Sequence, residues 1–438
     1  MNRYINHTGY LIVAILTILG CKTQPQTSAF ITVENGKFIK NGQPYYYIGT
    51  NYWYGASIAA DTIGGDRERL IKELDFLKQN GIDNLRVMVG AEGPDNEPFR
   101  VTPTLVKKPG IYSPALLEGL DYFLNELKKR DMVAILYFTN NWEWSGGMAQ
   151  YVNWNGYGEY ANPNLEKYSW PDFFKYQKQF YSCEPCIEQV NEYIKKIIIR
   201  TNSVNGIKYI NDPTIMAWEL ANEPRPMALD NFEPFKKWIK ETSEFIQSLD
   251  TNHLITTGNE GEKGCSESIE LFEEIHSLSS IDYITFHIWV KNWNWYKYEQ
   301  AETTFPESIK LVKKYIDDHT AIAQKLNKPL VLEEFGIARD NESFLVGSPV
   351  TYRDTYFEFI FHEIAESINQ GKNLVGANIW TFGGFTHPIK GQIYWKPGDP
   401  YSGDPPQEQQ GLNAVYPEDI STMNIIRKYN IQFNRIPK

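Results

Sequence analysis

Two short segments of this chain end an apolar run with glutamates. One reads WELANEP over residues 218–224, and the other reads LEEFG over residues 332–336. Two carboxyl groups held across a cleft can cleave a glycosidic bond, one as a proton donor and the other as a nucleophile or base. The first candidates for catalysis are therefore the four glutamates of these segments: Glu219, Glu223, Glu333 and Glu334.

The strands that carry these segments favour one glutamate from each. Glu223 follows an apolar strand that ends near Leu220, and Glu334 follows one that ends near Leu332. Because side chains alternate along a strand, adjacent residues cannot both point into the same site. The ring of Pro224 also restricts the peptide just after Glu223, as suits a group that must hold a proton in place. A carboxyl separation of about 5–5.5 Å would predict retention of anomeric configuration, and a wider one inversion.

The rest of the chain alternates short apolar strands with longer segments of helical periodicity. The predicted strands are 45–50, 82–89, 132–138, 214–220, 254–258, 282–288, 329–333 and 374–381, and the predicted helices are 67–80, 115–129, 187–200, 232–248, 306–326 and 353–369. Eight such rounds predict a (β/α)8 barrel. A doubly wound sheet is the alternative, but the first strand is not followed by its glycine-rich phosphate turn.

We expect this barrel to form one domain over residues 30–438. Two Asn-Gly pairs within residues 30–47 predict an N-terminal β-hairpin ahead of it. Two long insertions, 139–186 and 385–417, follow strands and so should lie on the C-terminal face, where barrel enzymes build their sites. The first is rich in Trp, Tyr and Asn, which makes it a candidate wall of a binding cleft.

The N-terminal residues resemble an export signal. Arg3 precedes an apolar or neutral run from Tyr10 to Leu19, which is too short to cross a bilayer comfortably. The segment ILGC at 18–21 resembles a bacterial lipobox, which would make Cys21 the lipidated residue. We therefore predict a signal peptide over 1–21, a polar tether over 22–29 and a protein anchored by lipid to the cell envelope, at the outer membrane or in the periplasm. A plain signal peptide with an incidental cysteine is the alternative.

Charge and cysteine content limit the possible partners. The net charge of -11 argues against nucleic acid or anionic lipid as the main partner. Cys183 and Cys186 lack the second pair that a zinc site needs, so a small local disulfide is expected in an exported protein, with Cys265 free. The Asp399–Asp404 loop lacks the ligand spacing of a calcium loop. We expect no metal or cofactor and a monomeric protein.

Over residues 30 to 430 the chain resembles glycoside hydrolase family 5. Members of its clan carry Asn-Glu-Pro after the fourth strand and Glu-[Phe/Tyr]-Gly after the seventh. The resemblance implies that Glu223 is the acid/base, that Glu334 is the nucleophile and that Asn222 holds the sugar 2-hydroxyl. It also implies sites near the cleaved sugar for three residues on other strands: Arg86 beside the nucleophile, His287 on the sixth strand and Trp380 as a stacking platform.

Other positions resemble the endo-β-1,4-mannanase branch of that family. Trp142 lies in an Asn- and Trp-rich loop after the third strand, and Arg225 matches a mannanase arginine on the leaving-group side. Trp289 replaces a tyrosine that bonds the nucleophile in many relatives, and its indole N–H could donate instead. Trp53, after the first strand, completes the substrate-binding set.

The resemblance implies a retaining endo-β-1,4-mannanase that acts on mannan, glucomannan or galactomannan by double displacement. An endo-β-1,4-glucanase or another β-glycanase of the family is the alternative enzyme. A non-catalytic glycan-binding lipoprotein is the alternative of another class, and it would be expected to lack one of the two carboxylates.

Overall fold

A computed structural model describes residues 29–435, which begin with a small antiparallel sheet. Its strands are β1 (Thr32–Glu34), β2 (Lys37–Lys40) and β3 (Gln43–Pro44). The first turn places Asn35 and Gly36 at φ 51° and 71°, and the second, Asn41-Gly42, repeats this geometry. Positive φ at both central residues is what a tight hairpin turn requires. The expected hairpin is thus confirmed and gains a third strand. The predicted signal peptide and residues 22–28 of the tether lie outside the described residues.

Eight parallel strands form the main sheet, and each matches a predicted strand. They are β4 (Tyr47–Asn51), β5 (Asn84–Met88), β8 (Val133–Asn140), β9 (Ile215–Asn222), β10 (Leu254–Thr256), β11 (Ile284–Ile288), β12 (Leu330–Phe335) and β13 (Leu374–Ile379). The remaining strands, β6 (Val106–Lys108) and β7 (Ile111–Tyr112), pair in the loop after β5. The order β10-β9-β8-β5-β4-β13-β12-β11 leaves β10 and β11 at its two ends.

Hydrogen bonds between β10, β11 and the residues that flank them close this sheet into a barrel. The Asp282 N–H donates to the Ile255 carbonyl at 2.8 Å, and the Thr256 hydroxyl donates to the carbonyl of the next residue, Tyr283, at 3.0 Å. Further along, the His287 N–H donates to the Glu260 carbonyl at 3.1 Å. The predicted (β/α)8 barrel is confirmed. Among residues 29–435, no helix has both the length and the apolar character needed to cross a membrane.

Helices cover the outside of the barrel and all six predicted ones are present. The helices are α1 (Gly55–Ile58), α2 (Arg67–Gln79), α3 (Pro114–Lys128), α4 (Gly147–Trp154), α5 (Trp170–Gln177), α6 (Glu184–Ile198), α7 (Phe232–Leu249), α8 (Ile269–His276), α9 (Ala301–Leu326), α10 (Thr351–Asn369) and α11 (Ile420–Phe433). Side-chain caps fix several starts: Asp66 accepts from the Arg69 N–H, and Ser113 caps α3, whose first residue is Pro114.

The small N-terminal sheet plugs one end of the barrel. One apolar cluster buries Ile31, Phe38 and Tyr45 together with residues at the start of the barrel strands, including Val133 and Val331. These residues lie at the amino ends of their strands. The carboxyl ends therefore open on the opposite face, which is where the two long insertions lie.

Both insertions are fastened to the barrel. The first carries α4 and α5 and ends in a disulfide between Cys183 and Cys186 at the start of α6, as expected, while Cys265 is free and buried. The second runs from β13 to α11. Its Asp404 carboxylate accepts the Gly411 and Asn413 N–H groups at 2.8 and 2.9 Å. Both loops therefore present fixed walls on the carboxyl face.

Candidate active site

Glu223 stands at the end of β9 in an unusual backbone conformation. Its φ is +50°, a region that non-glycine residues seldom adopt, and its N–H donates to the Gly258 carbonyl at 3.0 Å. The Trp142 indole N–H donates to its Oε2 at 2.5 Å, and the His287 ring bonds its Oε1 through Nδ1 at 2.7 Å. Such strain persists only where surrounding contacts hold it, and it is often found at functional sites.

Glu334 is placed by an irregularity in β12. Phe286 pairs with Leu332, but the next residue, His287, pairs with Glu334, so Glu333 is an extra residue in the ladder. Both side chains therefore face the barrel interior, against strict alternation, although Glu334 lines the cleft and Glu333 does not. Both approach the Arg86 guanidinium, at 2.5 Å for Glu334 and 3.6 Å for Glu333.

The glycine of this motif is required by close packing. A β-carbon at Gly336 would lie 2.7 Å from the backbone carbonyl oxygen of Trp380. The absence of a side chain lets the end of β12 approach the end of β13, which brings Trp380 over the same cleft as Glu334.

The two carboxyl groups selected from the sequence lie close together. One oxygen of Glu223, one oxygen of Glu334 and a ring nitrogen of His287 are all within 4.8 Å of one another. Retaining glycosidases hold their carboxyl groups about 5–5.5 Å apart, whereas inverting ones need about 6.5–9.5 Å to admit a water molecule. The geometry suits direct attack by one carboxylate on the sugar.

Arg86 lies beneath these groups and bonds several of them. It is fully buried, and its five N–H donors are all used: Nε and Nη2 bond Glu219, Nη2 also bonds Asn222, and Nη1 bonds Asn51 and Glu334. The guanidinium also lies over the Tyr137 ring at 4.8 Å. A planar donor group held from all sides fixes the Glu334 carboxylate in one orientation.

One guanidinium does not neutralise the three glutamates that surround it. Burial and the nearby Glu223 raise the pKa of Glu334 well above its usual value, although Arg86 opposes this. Burial and Glu219 likewise raise the pKa of Glu333. Burial and mutual repulsion therefore disfavour a negative charge on all of these carboxyl groups at once. The bond to Arg86 marks Glu334 as the member of the catalytic pair whose anion is stabilised.

His287 is a neutral link between the two catalytic carboxyl groups. Burial and the charge of Arg86 hold the pKa of His287 well below its usual range. Its Nδ1 lies 2.7 Å from Glu223 and 3.4 Å from Glu334. A neutral ring with hydrogen on Nδ1 donates to Glu223 and adds no charge that would favour ionisation of both acids at once.

A cleft of about 760 Å³ opens above these residues, a size that suits a small chain of sugars. Seven of the ten catalytic and substrate-binding candidates line it: Glu223, Glu334, Asn222, Arg225, Trp142, Trp289 and Trp380. Arg86 and His287 act from beneath. The rival glutamates Glu219 and Glu333 are also buried below the cleft.

Two tryptophans differ from the expectations for them. The Trp289 N–H donates to Glu223 at 3.3 Å and not to the nucleophile candidate Glu334. Trp53 does not line the cleft; it is 2% exposed and donates to the Gly403 carbonyl at 2.6 Å. It packs against the second insertion, so its contribution is to hold that loop and not to touch a ligand.

Arg225 belongs to a polar group on one side of the cleft. It bonds the Glu260 carboxylate at 2.5 Å, and its guanidinium lies over the Trp142 ring at 4.7 Å. Burial and Glu223 raise the pKa of Glu260 to about 7, against the effect of Arg225. A third carboxyl group thus lies near Glu223, and the sequence prediction missed it.

Several other cleft residues were also missed. They are Glu143, Trp144, Asn164, Trp170, Phe174, Lys263, Glu267, Asn292, Trp293, Pro405, Gln407 and Glu408. Glu260 had a usable signal, because it lies two residues after the fifth predicted strand, which ends at residue 258. Trp170 and Phe174 lie in the aromatic insertion that was expected to form a wall, but nothing in the sequence indicated which of its rings face the cleft.

Comparison with known proteins decides the family. The sequence model described as GH family 5 beta-mannosidase-like matches residues 28–438. The chain belongs to glycoside hydrolase family 5. The resemblance stated from the motifs is confirmed at this level, and the protein is a glycosidase.

The curated relatives of this family 5 glycosidase include plant enzymes. Mannan endo-1,4-beta-mannosidase 1 of Solanum lycopersicum is 30% identical over 367 residues, covering 81% of this chain and 83% of its own length. Mannan endo-1,4-beta-mannosidase 7 of Arabidopsis thaliana is 29% identical over 434 residues, covering 96% and 89%.

Solved structures of a mannosidase and a mannanase have the same fold. A family 5 mannosidase from Rhizomucor miehei is 32% identical, with a TM-score of 0.85 over 93% of this chain and 98% of its own. An endo-beta-1,4-mannanase from Thermotoga petrophila is 26% identical, with a TM-score of 0.65 over 90% and 78%.

Proposed function

We propose that this family 5 glycosidase hydrolyses β-1,4-mannosidic bonds by double displacement with retention of anomeric configuration. The observation that carries this proposal is the approach of Glu223 to Glu334 within 4.8 Å, with Arg86 bonded to Glu334. The mannan substrate is supported by the names of the plant relatives and by a Rhizomucor miehei mannosidase solved in complex with mannosyl-fructose.

In the proposed mechanism each of the two carboxyl groups has a defined role. Glu334 attacks the anomeric carbon while Glu223 donates its proton to the departing glycosidic oxygen, which yields a glycosyl-enzyme ester and a free leaving group. Glu223 then removes a proton from water as the water attacks the same carbon and releases Glu334. Asn222 lies between Arg86 and Asn140, bonded at 2.8 and 3.0 Å, and is held in place to bond the sugar 2-hydroxyl.

Cleavage of internal bonds is the first candidate for the position of attack. It is supported by the curated relatives, which are named endo-acting enzymes. Release of single mannose residues from chain ends is the second candidate. It is favoured by the family description and by the higher TM-score of the Rhizomucor miehei mannosidase.

The mechanism is tested by stereochemistry and by substitution. Proton NMR during cleavage should show the β-anomer of the new reducing end before mutarotation, and initial α-anomer would disprove retention. Glu334→Ala and Glu223→Ala should each lose most turnover, with azide restoring activity to Glu223→Ala on an activated aryl glycoside. An active Glu334→Ala variant would move the nucleophile to another residue, with Glu333 next to test.

The substrate is tested on mannan, galactomannan, glucomannan and cellulose. Cleavage of cellulose without action on mannan would reject the mannanase branch in favour of a glucanase. A rapid fall in viscosity with few reducing ends indicates internal cleavage, whereas steady release of mannose indicates action at chain ends. Binding of oligosaccharides without any shortening of them would indicate the non-catalytic alternative. The presence of both carboxyl groups argues against that alternative.

We further propose that the chain is exported and attached to the envelope through lipid on Cys21, and that it acts as a monomer. The Cys183–Cys186 disulfide supports export, because such bonds persist in oxidising compartments. Labelling with a fatty acid analogue should mark the wild-type chain and leave Cys21→Ser unmarked. Labelling of neither would favour the plain signal peptide.

A further inference from the structure

Three aromatic side chains along the cleft contact one another, with the Trp142 ring nearly perpendicular to the Trp170 ring at 85° and the Phe174 ring tilted 40° from that of Trp170. The Trp142 ring centroid lies 5.8 Å from that of Trp170 and 6.3 Å from that of Phe174, and the latter two are 5.9 Å apart. All three line the cleft. We call this set the aromatic shelf.

The shelf continues outward from the proton donor. Oε1 of Glu223 faces His287, which also approaches Glu334, so this oxygen lies toward the nucleophile. Oε2 instead accepts the Trp142 N–H at 2.5 Å. The proton donor acts on the oxygen that joins the cleaved sugar to the leaving group. A surface that lies beside Glu223, on the side away from Glu334, therefore faces the leaving group.

The helix that carries the outer shelf is built to present it. Trp170 and Phe174 are four residues apart on α5, so they share one face. The adjoining face is buried through Phe173 and Gln177, and the Gln177 amide donates to the Asn141 side chain at 3.0 Å. A capping box between Ser169 and Asp172 fixes the start of the helix.

Exposure separates these rings from ordinary core aromatics. Trp170 is 43% exposed although it contacts Phe173 and two other rings, so a large flat surface stays open to the cleft. A single exposed aromatic residue needs no functional explanation. Three adjacent rings that start at the catalytic acid and continue along the same cleft fit the apolar C–H faces of successive pyranose rings, which stack on aromatic side chains.

We propose that the aromatic shelf binds the leaving-group sugars, with Trp142 beside the first and Trp170 and Phe174 stacking against the second beyond the cleaved bond. This inference rests on the proposed mannosidic cleavage. Arg225 and Glu260 border Trp142 and supply polar contacts at the same side. The shelf makes the enzyme selective for substrates whose leaving group is at least two sugars long. Its fixed helix means that little ordering is needed on binding.

The test compares leaving groups of different length. Trp170→Ala and Phe174→Ala should each lower kcat/KM on mannopentaose about tenfold, as expected for loss of a stacking partner of a flat ring. On the aryl β-mannoside or aryl β-mannobioside that the wild type cleaves best, the change should be under about twofold, because the phenol leaving group does not reach α5. Trp170→Phe should restore most of the loss. The preferred cleavage site in mannopentaose should also move toward bonds that leave fewer sugars on the shelf.

Tyr157→Ala is the matched control. Tyr157 is 42% exposed in the same insertion but does not line the cleft, so its loss should change neither substrate. Equal losses on both substrates would show a merely structural role for α5 and overturn the inference, as would no loss on mannopentaose. A wild-type chain that cleaves no mannoside would instead reject the proposed function, and the inference with it.

Discussion

Arg86 Nη1 and Glu334 Oε1 are joined by a hydrogen bond of 2.5 Å beneath the floor of the cleft. The same guanidinium bonds Glu219 through two nitrogen atoms and Asn222 through one. The candidate nucleophile and the residue placed for the sugar 2-hydroxyl are therefore positioned by one rigid group.

Substitution Arg86→Lys should lower kcat about 100-fold or more and change KM less. A lysine keeps the charge but offers a compact ammonium in place of a planar fork, so it cannot bond Glu334, Glu219 and Asn222 together. Steady-state kinetics on the best oligosaccharide would measure this. Arg69→Lys is the control, because Arg69 is also buried against a carboxylate, Glu73, but bonds Glu73 and the Tyr401 carbonyl and neither catalytic glutamate. The melting temperature of Arg69→Lys should fall while its kcat stays unchanged. An equal loss of kcat in both variants would contradict a specific role for Arg86.

Substitution Trp289→Phe should slow the second chemical step. It removes the N–H that donates to Glu223 at 3.3 Å and keeps an aromatic ring over the cleft. Because that donor stabilises the Glu223 anion, which must take a proton from water, we expect kcat on an activated aryl glycoside to fall about tenfold. Trp293→Phe, which changes a cleft tryptophan that packs on Trp295 and Tyr315, should have little effect. An unchanged burst of phenol with an unchanged steady rate would reject this role.

Substitution Glu260→Gln should move the basic limb of the kcat/KM profile to lower pH. Burial and Glu223 raise the pKa of Glu260 to about 7, so this group gains its negative charge as the pH rises through neutrality. That charge helps the catalytic pair keep its proton in basic solution, and glutamine lacks it. Below pH 6 the two proteins should differ little in the position of their acidic limb.

The profile should be measured from pH 4 to 9 beside Glu267→Gln. Glu267 also lines the cleft but is paired with Lys263 near the surface, so its substitution should leave the limb in place. A basic limb that stays fixed in Glu260→Gln, or one that moves equally in both variants, would count against the electrostatic coupling.

Substitution Glu92→Gln should stabilise the fold in basic solution. Burial raises the pKa of Glu92 to about 8 from an unperturbed value of 4.5. A raised folded-state pKa gives stability that is fully present below the unfolded value and is lost as pH rises through the folded one, here between about 4.5 and 8. The variant escapes this loss, and its melting temperature should exceed that of the wild type by a few degrees at pH 8.5 but not at pH 5.

Geometry at Glu92 supports glutamine as a suitable replacement. The Glu92 Oε2 atom accepts the Gly147 N–H at 3.1 Å, and the Thr139 hydroxyl lies close enough to the Glu92 carboxyl group to lower its pKa against the effect of burial. An amide can keep the first bond and donate to Thr139. Scanning calorimetry at both pH values measures the effect, and a gain of equal size at pH 5 would show that it arises from packing and not from charge.

The barrel could be predicted because each strand is a short apolar run between clear helical periodicities. All eight strands were found within a few residues. Five helices were not predicted: α1, α4, α5 and α8, each of which spans eight residues or fewer, and α11, whose apolar periodicity is weak. The helix α9 starts at Ala301, five residues before the predicted start at 306, so that Pro306 lies inside it.

Glu223 and Glu334 could be selected from their motifs, but the alternation of side chains along a strand explains only part of their placement. The alternation of side chains along β12 is interrupted because Glu333 is an extra residue in the ladder. No feature of the sequence LEEFG predicts that irregularity. The partner of the Trp289 N–H and the burial of Trp53 depend on contacts between distant loops. Glu260 could have been found by asking which strand ends carry carboxylates, and the shelf could not, because it depends on the orientation of a helix inside a long insertion.

The plug formed by β1, β2 and β3 also sets which way the molecule faces. Phe30, one residue into the described chain, packs its ring 5.0 Å from His253, beside the amino end of β10. The chain therefore enters the barrel at the end opposite the cleft. A tether attached ahead of residue 29 would point the cleft outward from the surface that holds it, toward polymers too large to approach that surface themselves.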